Sequence, residues 1–248
     1  MSTRISKKII LYTRKKKLRS MKERMIIGRL KDKAIFSVQD VQRIGESSRE
    51  YAKLTLNRLL KRMVINKVTK NSYTLQKDIL VIASNLKIPS YISFWSASSY
   101  YGFTEQLLTT VYVASTRRVK DIQFAGYRIT FVKTKCFFGY IKIKTNTGEL
   151  FVADQEKLLI DCFLHFKKMG NFDEIEKVFT QSQINKEKIL EYLKKTNSPS
   201  LIKRVGYMLE QYKNIDLSHS FDLDRNYVFL NQFSKKYRRL NSKWRIKL

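Results

Sequence analysis

The chain has 248 residues, of which 43% are apolar, and its formal net charge is +29. That apolar content is enough for a buried core in one large or two smaller domains, which excludes a disordered polycation. No apolar run approaches the roughly 18 residues of a membrane span, so we expect no membrane partner. The two cysteines, Cys136 and Cys162, show neither a disulfide framework nor metal-ligand spacing, so we expect thiols in a reducing compartment and a cytoplasmic protein.

The positive charge is concentrated at the two ends of the chain. Residues 1–70 carry 21 basic and 5 acidic side chains, and residues 226–248 carry 7 basic and no acidic ones. So large an imbalance favours a polyanionic partner, for which nucleic acid is the leading candidate. We expect four regions. These are a basic arm at 1–19, a DNA-binding domain at 20–77, an α+β domain at 78–225 and a basic tail at 226–248.

Three capping boxes follow one another near the N-terminus, each a serine with an acidic residue three positions later. The pairs are Ser20 with Glu23, Ser37 with Asp40, and Ser47 with Glu50. They predict helices at about 20–32, 37–44 and 48–62. The apolar pattern of the first helix predicts that Met21, Met25, Ile27 and Leu30 are buried.

Two strand-like runs, Val64–Val68 and Ser72–Leu75, then predict a β-hairpin. Three helices and a hairpin indicate a winged helix-turn-helix, whose third helix enters the major groove of DNA. We therefore expect double-stranded DNA contacts from the third helix, the hairpin tip and the basic arm. The candidate DNA-binding residues are Ser48, Arg49, Lys53, Asn57, Arg58 and Lys61, then Lys67, Lys70 and Asn71, and Lys15, Lys16 and Lys17. The alternative is a winged helix used only for protein contact, with solvated charges.

The remainder of the chain reads as an α+β domain in which strands precede a helical bundle. Helices are predicted at Asp78–Leu86 and at about 93–101, where Gly102 can adopt the left-handed conformation that ends a helix. The predicted strands are Thr110–Ser115, Tyr127–Lys133, Phe137–Thr145 and Glu149–Val152, and the later helices lie at about 154–169, 172–180, 185–195 and 199–213. The tail could pack as a strand or extend as an arm.

No catalytic pattern stands out. His165 and His219 are isolated, Cys136 and Cys162 lack metal-ligand spacing, and there is no glycine-rich phosphate loop. Among the acidic residues near 154–161, Asp154 is expected to cap a helix. Glu156 lies in the first turn of that helix, where its negative charge interacts favourably with the positive end of the helix dipole. We expect a protein that is not an enzyme, with no catalytic residues, no metal site and no cofactor.

Residues 92–115 read ISFWSASSYYGFTEQLLTTVYVAS, which resembles the signature of the AbiEi family of antitoxins from abortive-infection toxin–antitoxin systems. Three further segments are similar to family motifs: VADQEKLLIDCF at 152–163, RVGYMLE at 204–210 and KWRI at 243–246. The chain departs from the pattern at Phe103, where leucine is expected, and lacks the usual terminal asparagine.

The resemblance implies two functions. The N-terminal domain would bind repeats in its own promoter and repress the operon, and the C-terminal domain would neutralise a nucleotidyltransferase-like toxin. No catalytic residues are carried over. The alternatives are a winged-helix regulator or chromatin-type protein with a ligand-sensing or dimerisation domain and no toxin, and a nucleic-acid enzyme with an unfamiliar active site. A homodimer is compatible with the sequence, which leaves the oligomeric state open.

Overall fold

The computed structural model describes residues 21–146, 148–234 and 236–248. The chain forms two compact units. Of the described residues, the first unit comprises those up to Ile82 together with those between Lys144 and Glu149, and the second comprises Ala83–Ile143 together with those between Leu150 and Leu248. Residues 78–82 and 144–149 thus belong to the first unit, beyond the boundary of 20–77 expected from the sequence.

The first unit contains three helices followed by a two-stranded antiparallel hairpin. Residues 21–30 are helical (α1), and α2 and α3 span Val38–Ile44 and Arg49–Lys61. The hairpin pairs β1, Asn66–Thr69, with β2, Ser72–Thr74. Phe36, between α1 and α2, exchanges two backbone hydrogen bonds with Tyr73 and so adds a third extended segment to the hairpin.

Local capping explains where α2 and α3 begin, with one correction to the sequence prediction. Ser37 and Asp40 form the predicted capping box of α2. The prediction for α3 was wrong by one residue, because Ser48 rather than Ser47 accepts a hydrogen bond from the Tyr51 amide at 3.2 Å. Ser20, the cap predicted for α1, lies outside the described residues.

The core of the first unit forms between the three helices and the hairpin, and its buried residues include Ile26, Leu30, Phe36, Leu56 and Leu59. The predicted inward face of α1 was wrong in part, since the side chains of Met21 and Met25 are exposed. The buried face instead contains Glu23, Ile26 and Leu30. On this face the Glu23 carboxylate lies 3.9 Å from the Arg58 guanidinium of α3.

The second unit is built on a six-stranded mixed sheet with the order β5-β6-β4-β3-β8-β7. The strands are β3 Ser90–Ile92, β4 Thr110–Ser115, β5 Ile122–Phe124, β6 Tyr127–Lys133, β7 Tyr140–Thr145 and β8 Gly148–Ala153. The predicted bounds of β4 and β6 are confirmed. Strands β3 and β5 were not predicted, because each has only three residues, too few for alternation to be recognised, and β3 is buried at all three positions.

Six further α-helices follow the hairpin in the described part of the chain, and the first of them, α4, spans the boundary between the two units. Their bounds are α4 Ile79–Asn85, α5 Phe94–Tyr100, α6 Gln155–Leu164, α7 Phe172–Gln181, α8 Lys186–Thr196 and α9 Pro199–Lys213. Gly102, just after α5, has φ 74°, which is the left-handed conformation predicted for the residue that ends this helix. The predicted helix over 154–169 ends early, because the backbone departs from helical geometry at His165 and continues as a 3-10 turn, Phe166–Lys168.

The C-terminal tail packs within the second unit. Its strands β9 Val228–Phe229, β10 Leu240–Asn241 and β11 Ile246–Lys247 form a small sheet with the order β10-β11-β9. Trp244, just before β11, is fully buried against Gly206 of α9. The protein is therefore of the α+β class. Within the described part of the chain, no helix is long and apolar enough to cross a membrane.

Candidate nucleic-acid interface

Helix α3 has one buried and one exposed face. Its buried residues are Ala52, Thr55, Leu56 and Leu59. The opposite side carries Arg49, Lys53, Asn57 and Lys61, which are all exposed and recur every four residues; we call this set the α3 stripe. Three cations and one amide thus project from the helix without taking part in the core, so they are free to contact a partner.

Two further exposed residues lie on the same side of α3 and were missed from the sequence. Leu54 is 51% exposed, although leucine usually faces a core. Glu50 is exposed, and hydrogen bonds from its own backbone and from Ser48 lower its pKa, so it is ionised at neutral pH. An apolar side chain can contact the methyl group of thymine, and a carboxylate can accept from the amino group of cytosine. The signal available in the sequence was the i, i+3, i+4, i+7 spacing of residues 50, 53, 54 and 57.

Arg58 and Ser48 have different environments from the α3 stripe. The Arg58 guanidinium lies 3.9 Å from the Glu23 carboxylate, which also accepts from Arg62 at 2.9 Å. Arg58 is therefore committed to linking α3 with α1, and among the described residues its Nη1 has no hydrogen-bond partner. Ser48 is exposed, but its hydroxyl oxygen caps α3.

The hairpin tip carries the other predicted contacts. Lys70 and Asn71 occupy the turn between β1 and β2, and Lys67 lies on β1; all three are exposed. The tip therefore presents two cations and an amide. The remaining predicted residues, Lys15, Lys16 and Lys17, lie outside the described residues.

Two acidic residues of the second unit that the sequence brought to attention, Asp154 and Glu156, are engaged in structural contacts. Asp154 caps α6 by accepting from the Lys157 amide at 2.8 Å, and burial raises its pKa. Glu156 accepts from the Asn185 amide, and Lys188 lies within 3.0–3.2 Å of both carboxylates. The role predicted for Asp154 is confirmed. In the described part of the chain, no group of three or more His, Cys, Asp or Glu residues is arranged to hold a metal ion.

A buried polar cluster joins the first two segments that carry the family resemblance. Ser93 donates to Asp161 at 2.7 Å, and Lys157 is ion-paired with the same carboxylate. Tyr91 lies over this group, and burial raises its pKa strongly. Ser93, Lys157 and Asp161 are 0% exposed, so the cluster has no direct access for a substrate. Its charges are balanced internally, which is how a structural ion pair is accommodated in a core.

The last two of these segments also meet. Gly206 approaches the Trp244 ring so closely that a Cβ would lie 2.2 Å from it. Trp244 Nε1 donates to Glu210, which also pairs with Lys243 at 2.6 Å. The four segments therefore form two contacting pairs in the core of the second unit. No protein-family model matches the chain, and no curated protein matches it.

Proposed function

We propose that the chain binds double-stranded DNA through a winged helix-turn-helix in its first unit. The observation that carries the proposal is the exposed α3 stripe on the helix that follows the turn at Gly45–Ser47. In winged helix-turn-helix proteins this helix enters the major groove and the hairpin lies against the backbone. The order of three helices, hairpin and additional Phe36 segment supports this topology.

The chemistry of the stripe assigns a role to each side chain. Arg49 and Asn57 can each form two hydrogen bonds with a base edge, and Leu54 can contact a thymine methyl group. Lys53 and Lys61 neutralise phosphates, as do Lys67 and Lys70 at the hairpin tip. Arg58 is not included, because its charge is paired with Glu23.

The test is a footprint of the full chain on the duplex upstream of its own gene. Lys53→Ala plus Asn57→Ala should remove specific protection, with a loss of about 1–3 kcal/mol from the base contact of Asn57 and a further, sequence-independent loss from the phosphate contact of Lys53. The matched control is Arg29→Ala plus Gln39→Ala, which removes one cation and one amide from exposed positions outside α3 and the hairpin. Full specificity in the α3 variant, or equal loss in the control, would exclude α3 as the reading helix.

We further propose that the chain is an autorepressing antitoxin whose second unit neutralises a nucleotidyltransferase-like toxin encoded beside it. This second proposal rests on the family resemblance. The four segments that resemble the family form two contacting pairs in the core of the second unit, which supports it. The runner-up is a winged-helix regulator whose second unit senses a ligand or mediates dimerisation, without a toxin.

Co-expression of the full chain with a neighbouring nucleotidyltransferase distinguishes the autorepressing antitoxin from the winged-helix regulator. The variant Lys53→Ala plus Asn57→Ala should lose repression of the operon but still restore growth, because it leaves the second unit unchanged. With toxin expressed from an independent promoter, failure of the wild-type chain to restore growth would leave the regulator as the explanation.

A further inference from the structure

An open pocket of about 450 Å³ lies within the second unit, where α7 and α9 meet the small sheet of the tail. Aromatic residues of the two helices line one part of it and basic residues of the tail line another. The lining includes Phe172, Tyr207, Tyr212, Lys236, Arg239 and Lys247. A volume of this size is in the usual range for pockets that hold small organic ligands.

The three cations of this pocket are not neutralised by the protein. Within the described residues, none of Lys236, Arg239 and Lys247 forms an ion pair with a carboxylate. The pocket also contains the Glu176 carboxylate, which accepts from the Tyr212 hydroxyl at 2.7 Å, so three basic side chains face one acidic side chain. The pocket therefore has an excess positive charge that an anionic ligand would relieve.

The tail holds the ammonium group of one of these cations and the backbone of another. Lys247 Nζ lies 4.9 Å from the centre of the Phe229 ring and 5.3 Å from that of Tyr237, a cation–π arrangement on two rings. Arg239 is held by a backbone hydrogen bond of 2.9 Å from the Leu248 amide to its carbonyl. A ligand would therefore meet a partly preorganised group of cations, which lowers the entropic cost of binding.

The positive lining continues into an adjoining pocket of about 700 Å³. The two pockets share Asn231, Lys236 and Leu248, and the second adds Tyr237 and Arg238. Tyr212 is 38% exposed and Tyr237 is 51% exposed, so each pocket offers an accessible ring beside cations.

We propose that this pocket binds a nucleotide, with its phosphates held by Lys236, Arg239 and Lys247 and its base against the Tyr212 ring. A phosphate group accepts several charge-assisted hydrogen bonds at once, which suits three unpaired cations. An acidic peptide would use the cations but not the rings, whereas every base has an aromatic face that can stack on tyrosine. The nucleotide is either free or the end of a single strand. The site is separate from the α3 stripe.

Equilibrium dialysis of the full chain tests this with ATP, UTP, a five-nucleotide single strand, inorganic tripolyphosphate and a pentaglutamate peptide as probes. The measurements use the variant Lys53→Ala plus Asn57→Ala as the background protein, because it limits binding of the single strand by the first unit. We expect ATP and UTP to bind more tightly than tripolyphosphate and the peptide. Tighter binding of the strand than of ATP would identify a strand end, and the reverse would identify a free nucleotide.

Substitutions locate the site. Lys236→Ala plus Arg239→Ala should weaken nucleotide binding by about 10–100-fold, as expected for charged hydrogen bonds to phosphate. Tyr212→Ala should weaken it further than Tyr212→Phe, which keeps the ring but loses the bond to Glu176. The control Lys186→Ala plus Lys194→Ala removes the same charge from exposed positions of α8.

Thermal melting verifies that each variant remains folded. If the α8 control weakened nucleotide binding equally, the effect would depend only on net charge, and the proposal would be overturned. So would undiminished binding in the Lys236 and Arg239 variant, or binding of tripolyphosphate or pentaglutamate as tight as that of ATP.

Discussion

The close approach of Trp244 to Gly206 makes α9 sensitive to a single methyl group. A Cβ at Gly206 would lie 2.2 Å from Cζ3 and 2.3 Å from Cη2 of the indole ring. The ring is fully buried, and its Nε1 donates to Glu210 one turn further along the same helix. It therefore cannot move away from the new methyl group without losing that bond and opening a cavity. We predict that Gly206→Ala destabilises the second unit.

Two opposing effects set the magnitude. Overpacking a core costs about 1–3 kcal/mol. A contact more than about 1 Å shorter than van der Waals distance belongs at the upper end, near 3 kcal/mol. Replacing glycine by alanine inside a helix stabilises it by up to about 1 kcal/mol. The net loss is therefore about 2 kcal/mol, which corresponds to a decrease in Tm of roughly 4–8 °C for a unit of this size.

Urea unfolding and differential scanning calorimetry measure this loss. The control is Gly28→Ala, because Gly28 is exposed and helical, and a Cβ there would meet no atom within 4 Å. That substitution should stabilise the protein by up to about 1 kcal/mol. In a double-mutant cycle, adding Trp244→Leu should cost less in the Gly206→Ala protein than in the wild type, because the clash is relieved. A Gly206→Ala protein as stable as the wild type would refute the close approach as the reason for glycine at this position.

Three more outcomes are expected. For Asp40, burial raises the pKa, but hydrogen bonds from Lys33 and Ser37 outweigh it and leave the pKa below 3.8. The advantage of wild type over Asp40→Asn should thus be fully present above the pKa of the unfolded chain and decrease as the pH falls through the lower pKa of the folded protein, as read from chemical unfolding at each pH; an advantage that does not change on acidification contradicts this. Lys203→Met should lower the free energy of unfolding in urea by about 1–3 kcal/mol, because the buried Lys203 Nζ donates to Asp224 and to the Asn226 carbonyl. The control Lys186→Met, at an exposed position of α8, should change that free energy by less than about 0.5 kcal/mol. Deleting residues 1–18 should flatten the plot of log DNA affinity against log salt by about 0.9 per lost phosphate contact, and an unchanged slope would show that the arm does not contact DNA.

Features encoded in a few neighbouring residues could be predicted from the sequence. The capping box of Ser37 and Asp40, the stop at Gly102 and the bounds of β4 and β6 depend on local hydrogen bonds, glycine conformation and residue alternation. The α3 stripe was predictable for the same reason, because a spacing of four residues places side chains on one side of any helix.

Other features depend on partners distant in the chain. Strand β3 is fully buried between β4 and β8, so its three residues show no alternation and only the sheet identifies them. Arg58 resembles its neighbours on α3 in sequence, but the packing of α1 places the Glu23 carboxylate 3.9 Å from its guanidinium.

The pocket proposed to bind a nucleotide also depends on residues that are distant in the chain. Its rings come from α7 and α9 and its cations from the tail, and no spacing along the sequence connects them. The sequence established that the tail is basic and amphipathic. Burial of Trp244 against Gly206 decided that the tail packs as a sheet beside α9, because that contact removes a large apolar ring from water.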